Sequence, residues 1–320
     1  MTSLLVDGNN MAYRAKYAFS LSNKGEDVSV SYGMLRMIKK LIEQFEPKSV
    51  IVCWDGGIPE FRREALPCYK ANRHKDDDPL EYESFITQVR ELDTYTFPLM
   101  GIVSARRDGA EADDLLYHAS RIIEGDSIIV TSDKDLLQAI NESVSVYTPN
   151  KDILYTFDNV EDMIDIPMSY YIDWRAIQGD SSDNIPGVKG VGEKTATKLF
   201  QDYGTLTGIV NAALGLNPID KKLSPKLSDN IKEFGFEKIA ANIKVMALYA
   251  DRVGAKMEII QAIKRCKPSN KDRIKRYLMN NAFVSLMDGD FYYALTELEC
   301  PQVNLQNKRC PVVAPKRIAI

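Results

Sequence analysis

Histidine is nearly absent from this chain, with only His74 and His118 in 320 residues. So small a number excludes a histidine-rich metal site and argues against a histidine-centred catalytic triad. Cysteine is scarce and scattered: Cys53, Cys68, Cys266, Cys300 and Cys310 include no Cys-x-x-Cys pair. That argues against structural zinc and fits a reducing cytoplasm. No apolar run approaches the roughly 18 residues that a membrane span needs. No internal repeat or low-complexity tract is present, and the opening Met-Thr-Ser-Leu-Leu-Val-Asp meets an acid too early for a signal peptide. Positive charge is short as well, with 41 Lys and Arg against 45 Asp and Glu. What is there is an ordinary globular composition, 45% hydrophobic and 27% charged, long enough for one large domain and a smaller one.

Short buried strands are expected at Ser3 to Val6, Ser49 to Trp54 and Ser127 to Thr131. Each runs into an acid: Asp7, Asp55 and Asp133. Helical spacing puts Met34, Met37, Ile38, Leu41, Ile42 and Phe45 on one face, and Leu115, Leu116, Ala119, Ile122 and Ile123 on another. Strands alternating with helices predict a parallel sheet covered on both sides. Ligands of such sheets lie beyond the carboxyl ends of the strands, where these acids fall. Glu60 to Asp78 interrupts the pattern as a charged excursion, and helices are expected from Asp158 to about Leu248. Residues 261–320 form a basic segment that packs back on the body or is partly irregular. Its run from Lys264 to Arg276 carries seven basic residues against Asp272.

The acids fall into five clusters: Asp7; Asp55; Glu111, Asp113 and Asp114; Asp133 and Asp135; Asp180 and Asp183. So many carboxylates at one rim need cations. A donor set of oxygen alone, without His or Cys, favours Mg²⁺ or Mn²⁺. Setting these nine acids aside turns the net charge from −4 to +5, which nucleic acid tolerates. Gln178 to Ala196 joins the last two acids to a loop punctuated by Gly187, Gly190 and Gly192, followed by a helix from Glu193 to Tyr203. Backbone N–H groups, a helix N-terminus, Lys189 and Lys194 make such a loop a phosphate clamp that reads no bases. Taken singly, Asp7-Gly8 reads as a turn and Asp133-Lys134-Asp135 as a helix cap. The set is far more specific than its members.

In this order, Val6-Asp7-Gly8-Asn9-Asn10, Trp54-Asp55-Gly56, Tyr69-Lys70-Ala71-Asn72-Arg73, Glu111-Ala112-Asp113-Asp114, Thr131-Ser132-Asp133-Lys134-Asp135 and Gly179 to Ala196 resemble the 5′-nuclease, or flap endonuclease, superfamily over about the first 200 residues. That superfamily includes the 5′-nuclease domains of bacterial DNA polymerase I and bacteriophage 5′–3′ exonucleases. The resemblance implies a PIN-like α/β domain (1–166) with a helical arch at about 60–95. A helix–three-turn–helix module (167–260) would follow. Asp7, Asp55, Glu111, Asp113 and Asp114 would hold one metal ion, and Asp133, Asp135, Asp180 and Asp183 a second. Lys70 and Arg73 would face the scissile phosphate. Arg62, Arg63 and Tyr69 on the arch, Arg14 and Lys16 after the first motif, and Gly187, Lys189, Gly190, Gly192, Lys194 and Thr195 in the hairpin would contact DNA. In some relatives the hairpin also holds K⁺.

The activity so implied is metal-dependent cleavage of DNA near single-strand/double-strand junctions, leaving 5′-phosphate and 3′-hydroxyl ends, in replication or repair. A cytoplasmic monomer is expected, with a replication polymerase or single-strand-binding protein as partner. Two other readings remain open at the level of sequence: a nuclease for RNA or RNA–DNA hybrids, and a non-catalytic junction-binding protein. The full acid set opposes the second, because a pure binder gains nothing from negative charge facing phosphates.

Overall fold

The computed structural model describes residues 1–72, 78–216, 222–287 and 289–304, with the backbone alone for 289 and 290. In chain order the first elements are β1 (Thr2–Asp7), α1 (Gly8–Ala18), the short β2 (Ser22–Asn23) and β3 (Glu26–Asp27), α2 (Ser29–Phe45) and β4 (Ser49–Trp54). Next come α3 (Glu60–Ala65), α4 (Pro79–Glu91), α5 (Phe97–Leu99), β5 (Val103–Arg106), α6 (Ala112–Ile122), β6 (Asp126–Val130), β7 (Val144–Thr148) and β8 (Ile153–Tyr155). The rest is helical: α7 (Val160–Ile164), α8 (Tyr171–Gln178), α9 (Glu193–Tyr203), α10 (Leu206–Leu214), α11 (Pro225–Phe234), α12 (Phe236–Met246), α13 (Ala255–Arg265), α14 (Lys271–Asn280) and α15 (Gly289–Thr296).

The chain divides into two compact units. Unit 1 comprises 1–57, 78–155 and 251–304 among the described residues. Its sheet runs β5-β4-β1-β6-β7-β8, parallel except for β8 against β7. Central β1 and β4 are buried along almost their whole length, which is why they read as unbroken apolar runs. From β1 the chain builds first toward β4 and β5, then returns to build β6 on the other side. Connections leaving in opposite directions open a crevice at the carboxyl ends of β1 and its neighbours. α2 packs on α1 and buries Val30, Met34, Leu35, Ile38, Leu41 and Ile42 in the core shared with β1 and β4. Gln88 of α4 caps it, accepting the N–H groups of Val30 and Ser31 at 3.0 Å each.

One expectation is corrected here. The arch does not extend to residue 95 as a free excursion, because Phe85, Val89 and Leu92 lie in the main core, 0–3% exposed. The segment 251–304 is helical and belongs to unit 1. Ile274, Tyr277, Leu278, Phe283, Leu286, Phe291, Leu295 and Leu298 fill the same core as β1 and β4. Cys266 and Cys300 are bonded across a Cα–Cα distance of 6.0 Å, a pair that nothing in the scattered cysteine spacing marks. Of the expected disposition of 305–320, nothing lies within the described residues.

Unit 2 comprises 58–72 and the described part of 156–250. α3 packs on α12, and α12 on α8. Tyr69, Ile185, Val245 and Met246 form a small core with Ile58, Ala65 and Leu66 against it. Among the described residues no helix is long and apolar enough to cross a membrane.

Candidate functional site

In unit 1 the strands that carry the acids end level with one another. Asp7 pairs with Cys53 across β1–β4, and Val6 with Val130 across β1–β6. Asp7 caps α1 by accepting the Asn10 N–H at 3.0 Å, and its other oxygen accepts the Thr131 hydroxyl at 2.8 Å. Fully buried Thr131 also accepts the Asp133 N–H at 3.0 Å, so one hydroxyl sets both acids. Asn9 accepts the Asp55 N–H at 2.9 Å, and Asn10 accepts the Ser132 N–H at 3.3 Å. Asp55 accepts the Ala112 N–H at 2.8 Å, which ties it to the start of α6. That helix carries Glu111 at its cap and Asp113 and Asp114 in its first turn. Asp133 accepts the N–H of Asp135 at 2.8 Å, so these two acids share one turn.

Charge reports the same convergence. Burial pushes the Cys53 thiol well above its ordinary pKa, and the carboxylates of Asp7 and Asp113 push it further. Both acids, from different elements, thus act on the potential at this one buried thiol. Their donor chemistry, oxygen throughout, fits a hard divalent cation. In the present arrangement the carboxylates accept protein hydrogen bonds. Among the described residues no three His, Cys, Asp or Glu side chains are set to grip one ion together.

Unit 2 holds the other two acids on a tight loop. Asp180 and Ile185 exchange backbone bonds of 2.9 and 2.7 Å. The Asp180 carboxylate takes Arg175 Nη2 at 2.7 Å and both the N–H and the hydroxyl of Ser182. Burial alone would raise its pKa, but the Ser182 and Arg175 bonds outweigh burial and leave it lowered. Asp183 lies 3.5 Å from Lys70 Nζ and accepts the Tyr69 hydroxyl at 3.5 Å. Its carbonyl accepts the Lys70 N–H at 2.9 Å, and the Asn184 side chain donates to Cys68 O at 2.7 Å. Segment 68–70 is thereby fastened along the loop.

The arch residues need correction on this ground. Tyr69 and Lys70 are 6% and 7% exposed, turned onto Asp183 rather than outward. Arg62 is 2% exposed, with Nε donating to Val245 O at 2.9 Å, so it braces α3 on α12 and is no surface contact. Arg63 is exposed. Arg73 lies outside the described residues. Arg14 and Lys16 are engaged within unit 1. Arg14 donates to Pro149 O at 3.3 Å, and Lys16 pairs with Glu81 at 3.4 Å.

The hairpin between α8 and α9 is built by close approach. A Cβ on Gly187 would lie 1.8 Å from Gln178 O. Val188 and Val191 are buried, while Lys189, Gly190, Gly192 and Lys194 are exposed and Thr195 is half-buried. Asn242 of α12 donates to both Ala176 O and Pro186 O, and Asn230 of α11 donates to Lys189 O. These amides take up carbonyls. The N–H groups of Lys189, Gly190 and Gly192 donate to no protein group among the described residues. Free N–H groups, exposed lysines and the start of α9 make an anion-binding arrangement.

Residues 2–165 match the family model of the 5′-3′ exonuclease N-terminal resolvase-like domain, and residues 166–264 that of the 5′-3′ exonuclease C-terminal SAM fold. The chain belongs to the 5′–3′ exonuclease family. It is 35% identical over 232 residues to the thermostable DNA polymerase I of Thermus filiformis, covering 71% of this chain and 27% of that protein. With DNA polymerase I of Bacillus subtilis it shares 33% identity over 241 residues, covering 72% and 26%. The chain thus spans about a quarter of the length of these curated relatives. Among solved structures, the bacteriophage T5 D15 protein crystallised with metal ions superposes with a TM-score of 0.62 at 21% identity, covering 89% of this chain and all of that one. Flap endonuclease-1 from Methanococcus jannaschii gives 0.54 at 17%, covering 92% of each chain. These likenesses carry the fold.

Sequence reasoning missed several residues that shape this exonuclease-family site. Asn9, Asn10 and Thr131 hold the acids, and their signal was adjacency to Asp7 and Asp133 in the motifs. Asn230 and Asn242 hold the hairpin from 41 to 66 residues away in sequence, Arg175 holds the acid loop from five, and nothing local marks them.

Proposed function

We propose that this protein is a divalent-metal-dependent, structure-selective 5′-nuclease that hydrolyses DNA phosphodiesters near single-strand/double-strand junctions. One observation carries the reading. Asp7, Asp55, Asp133 and the helix start bearing Glu111, Asp113 and Asp114 meet along one end of a parallel sheet, fastened by Asn9, Asn10 and Thr131. On this reading Asp7, Asp55, Glu111, Asp113 and Asp114 hold one ion, and Asp133, Asp135, Asp180 and Asp183 belong to a second. Mg²⁺ is the ion proposed, with Mn²⁺ as substitute, and K⁺ at the hairpin. Bound metal would supply an activated water and neutralise charge on the scissile phosphate.

The chain's own residues do the rest. Lys189, Lys194 and the hairpin N–H groups hold duplex phosphates without reading sequence. Thr131 and the asparagines keep the carboxylates level. Lys70, once turned from Asp183, offers its ammonium to a phosphate oxygen. DNA rather than an RNA–DNA hybrid is taken as the main substrate, with a polymerase or single-strand-binding protein as a transient partner of a monomer.

The test compares a 5′-labelled flap, a nicked duplex and an RNA–DNA hybrid in Mg²⁺. Flap and nick are expected to be cut fastest, with products ending in 5′-phosphate. Asp7→Asn and Asp133→Asn should abolish most cleavage while duplex binding stays measurable. Undiminished cutting in EDTA would overturn the metal reading, and faster cutting of the hybrid would move the substrate to RNA.

A further inference from the structure

The basic run from Lys264 to Arg276 belongs neither to the acid rim nor to the hairpin. Seven of the chain's 41 basic residues fall in these 13 positions, on a chain whose net charge is −4. They ride on the end of α13, the turn after it and the outer face of α14. α14 buries Ile274, Tyr277 and Leu278 in the core, which turns Lys271, Arg273, Lys275 and Arg276 outward. Lys264 and Lys267 are exposed beside them. Arg265 pairs with Glu258 at 2.8 Å. Among the described residues the other six make no ion pair.

The position of this face within unit 1 separates it from the acids. α13 starts where Gly254 approaches Arg107, just past the carboxyl end of β5. It ends at Cys266, whose sulfur lies 3.9 Å from Gly101 O, ahead of the start of β5. The helix therefore runs antiparallel to β5, and Lys264, Lys267 and Lys271 stand at the end of the sheet opposite the acid rim. Aromatic surface adjoins the cations. Lys271 Nζ lies 4.5 Å from the ring centre of Tyr293, which is 61% exposed, and the Tyr292 hydroxyl donates to Lys271 O.

Unpaired cations at helical spacing, with an exposed aromatic ring among them, are the composition that tracks a phosphodiester backbone. Lys271 and Lys275 are one turn apart, about 6 Å along the axis. We propose that the α13–α14 face is a second nucleic-acid contact, gripping the backbone of a substrate arm away from the acids. An acidic protein would meet the same charge but would gain nothing from the exposed tyrosine platform. This inference rests on the reading of the protein as acting on nucleic acid.

The experiment uses the full chain carrying Lys271→Glu with Lys275→Glu, and a second pair with Gln at both positions. Both positions are exposed on a helix, and unchanged circular dichroism and melting would certify the fold. Dissociation constants are measured across a KCl series on two flap substrates, one with long duplex arms and one with the arms cut to a few base pairs. Lys189→Ala with Lys194→Ala serves as the comparator. Expected is an affinity loss of about tenfold on the long-armed substrate and a salt slope lower by roughly two, with a smaller loss for the Gln pair. The short-armed substrate should not respond. Wild-type salt dependence on long arms, with the hairpin variant still impaired, would overturn this inference alone. A response of poly-glutamate binding without one of DNA binding would assign the face to an acidic protein and also overturn it. Failure of the wild type to bind any DNA would remove the function reading, and this inference with it.

Discussion

Lys70 holds a left-handed backbone, φ 53°, and a buried ammonium, two states that each cost free energy. A side-chain-bearing residue in that region costs of order 1–3 kcal/mol. The bonds to Asp183, from the Lys70 N–H to the carbonyl and from Nζ to the carboxylate, contribute to offsetting it. Removing one partner of a buried pair leaves the other uncompensated. Lys70→Ala should therefore destabilise unit 2 by about 1–3 kcal/mol, and Asp183→Asn in the same chain should recover part of that loss. A urea double-mutant cycle measures it, and additive single effects would show that the pair is not coupled. Single-turnover cleavage by Lys70→Ala should fall about 10²–10³-fold with little change in affinity.

A second residue carries a pH signature. Burial raises the Asp173 carboxyl from 3.8 to about 6. Between those values the folded state binds the proton and the unfolded state does not, so stability falls as pH rises from about 4 to 6 and levels above. Asp173→Asn should flatten that segment and add about 1–3 kcal/mol at pH 7, read from denaturant midpoints at several pH values. A parallel shift at pH 4 and pH 7 would disprove the assignment.

Two glycines of one hairpin make opposite forecasts. At Gly187 an added Cβ would meet Gln178 O at 1.8 Å, backbone against backbone, while nothing lies within 4 Å of one at Gly192. Gly187→Ala should cost about 1–3 kcal/mol, as overpacked sites do. Gly192→Ser, at the cap of α9, should be neutral or slightly stabilising. Thermal melts of the two variants decide between them, and equal behaviour would mean that the crossing is not rigid. Elements of this kind were partly legible beforehand. The expected helix from Glu193 to Tyr203 is the observed α9, and the strands expected at 3–6, 49–54 and 127–131 are β1, β4 and β6 within a residue. Their apolar runs are long because both faces are covered. β5, β7 and β8 were not legible. β5 has four residues with Arg106 at its end, and β8 has three half-buried ones, too little pattern for a period of two. The burial of Arg62 and Tyr69 was also hidden, since a basic, aromatic stretch reads as surface until α12 is known to lie over it. The acids at the ends of β1, β4 and β6 were legible because each closely follows an apolar run, whereas Asn230 and Asn242 act through partners distant in sequence.

Across the whole chain, the link between Cys266 and Cys300 closes a loop of 34 residues that contains α14 and α15. Cys266→Ser with Cys300→Ser should lower the stability of unit 1 by about 2–4 kcal/mol in oxidising buffer. With dithiothreitol present the variant and the wild type should melt together. A gap that persists under reduction would trace to lost packing instead. The residues inside that loop also supply eight side chains to the core built on β1 and β4, although all of unit 2 past residue 156 separates them from those strands in sequence. On the ribosome this has a consequence of order. β1 and β4 emerge well before α14 and α15, and the hydrophobic surface that these helices cover stays open until more than 200 further residues have been made. Unit 2, contiguous but for 58–72, can close earlier. The nascent chain thus carries this part of the core uncovered until α15 has emerged, and that interval is when a chaperone would have most to bind.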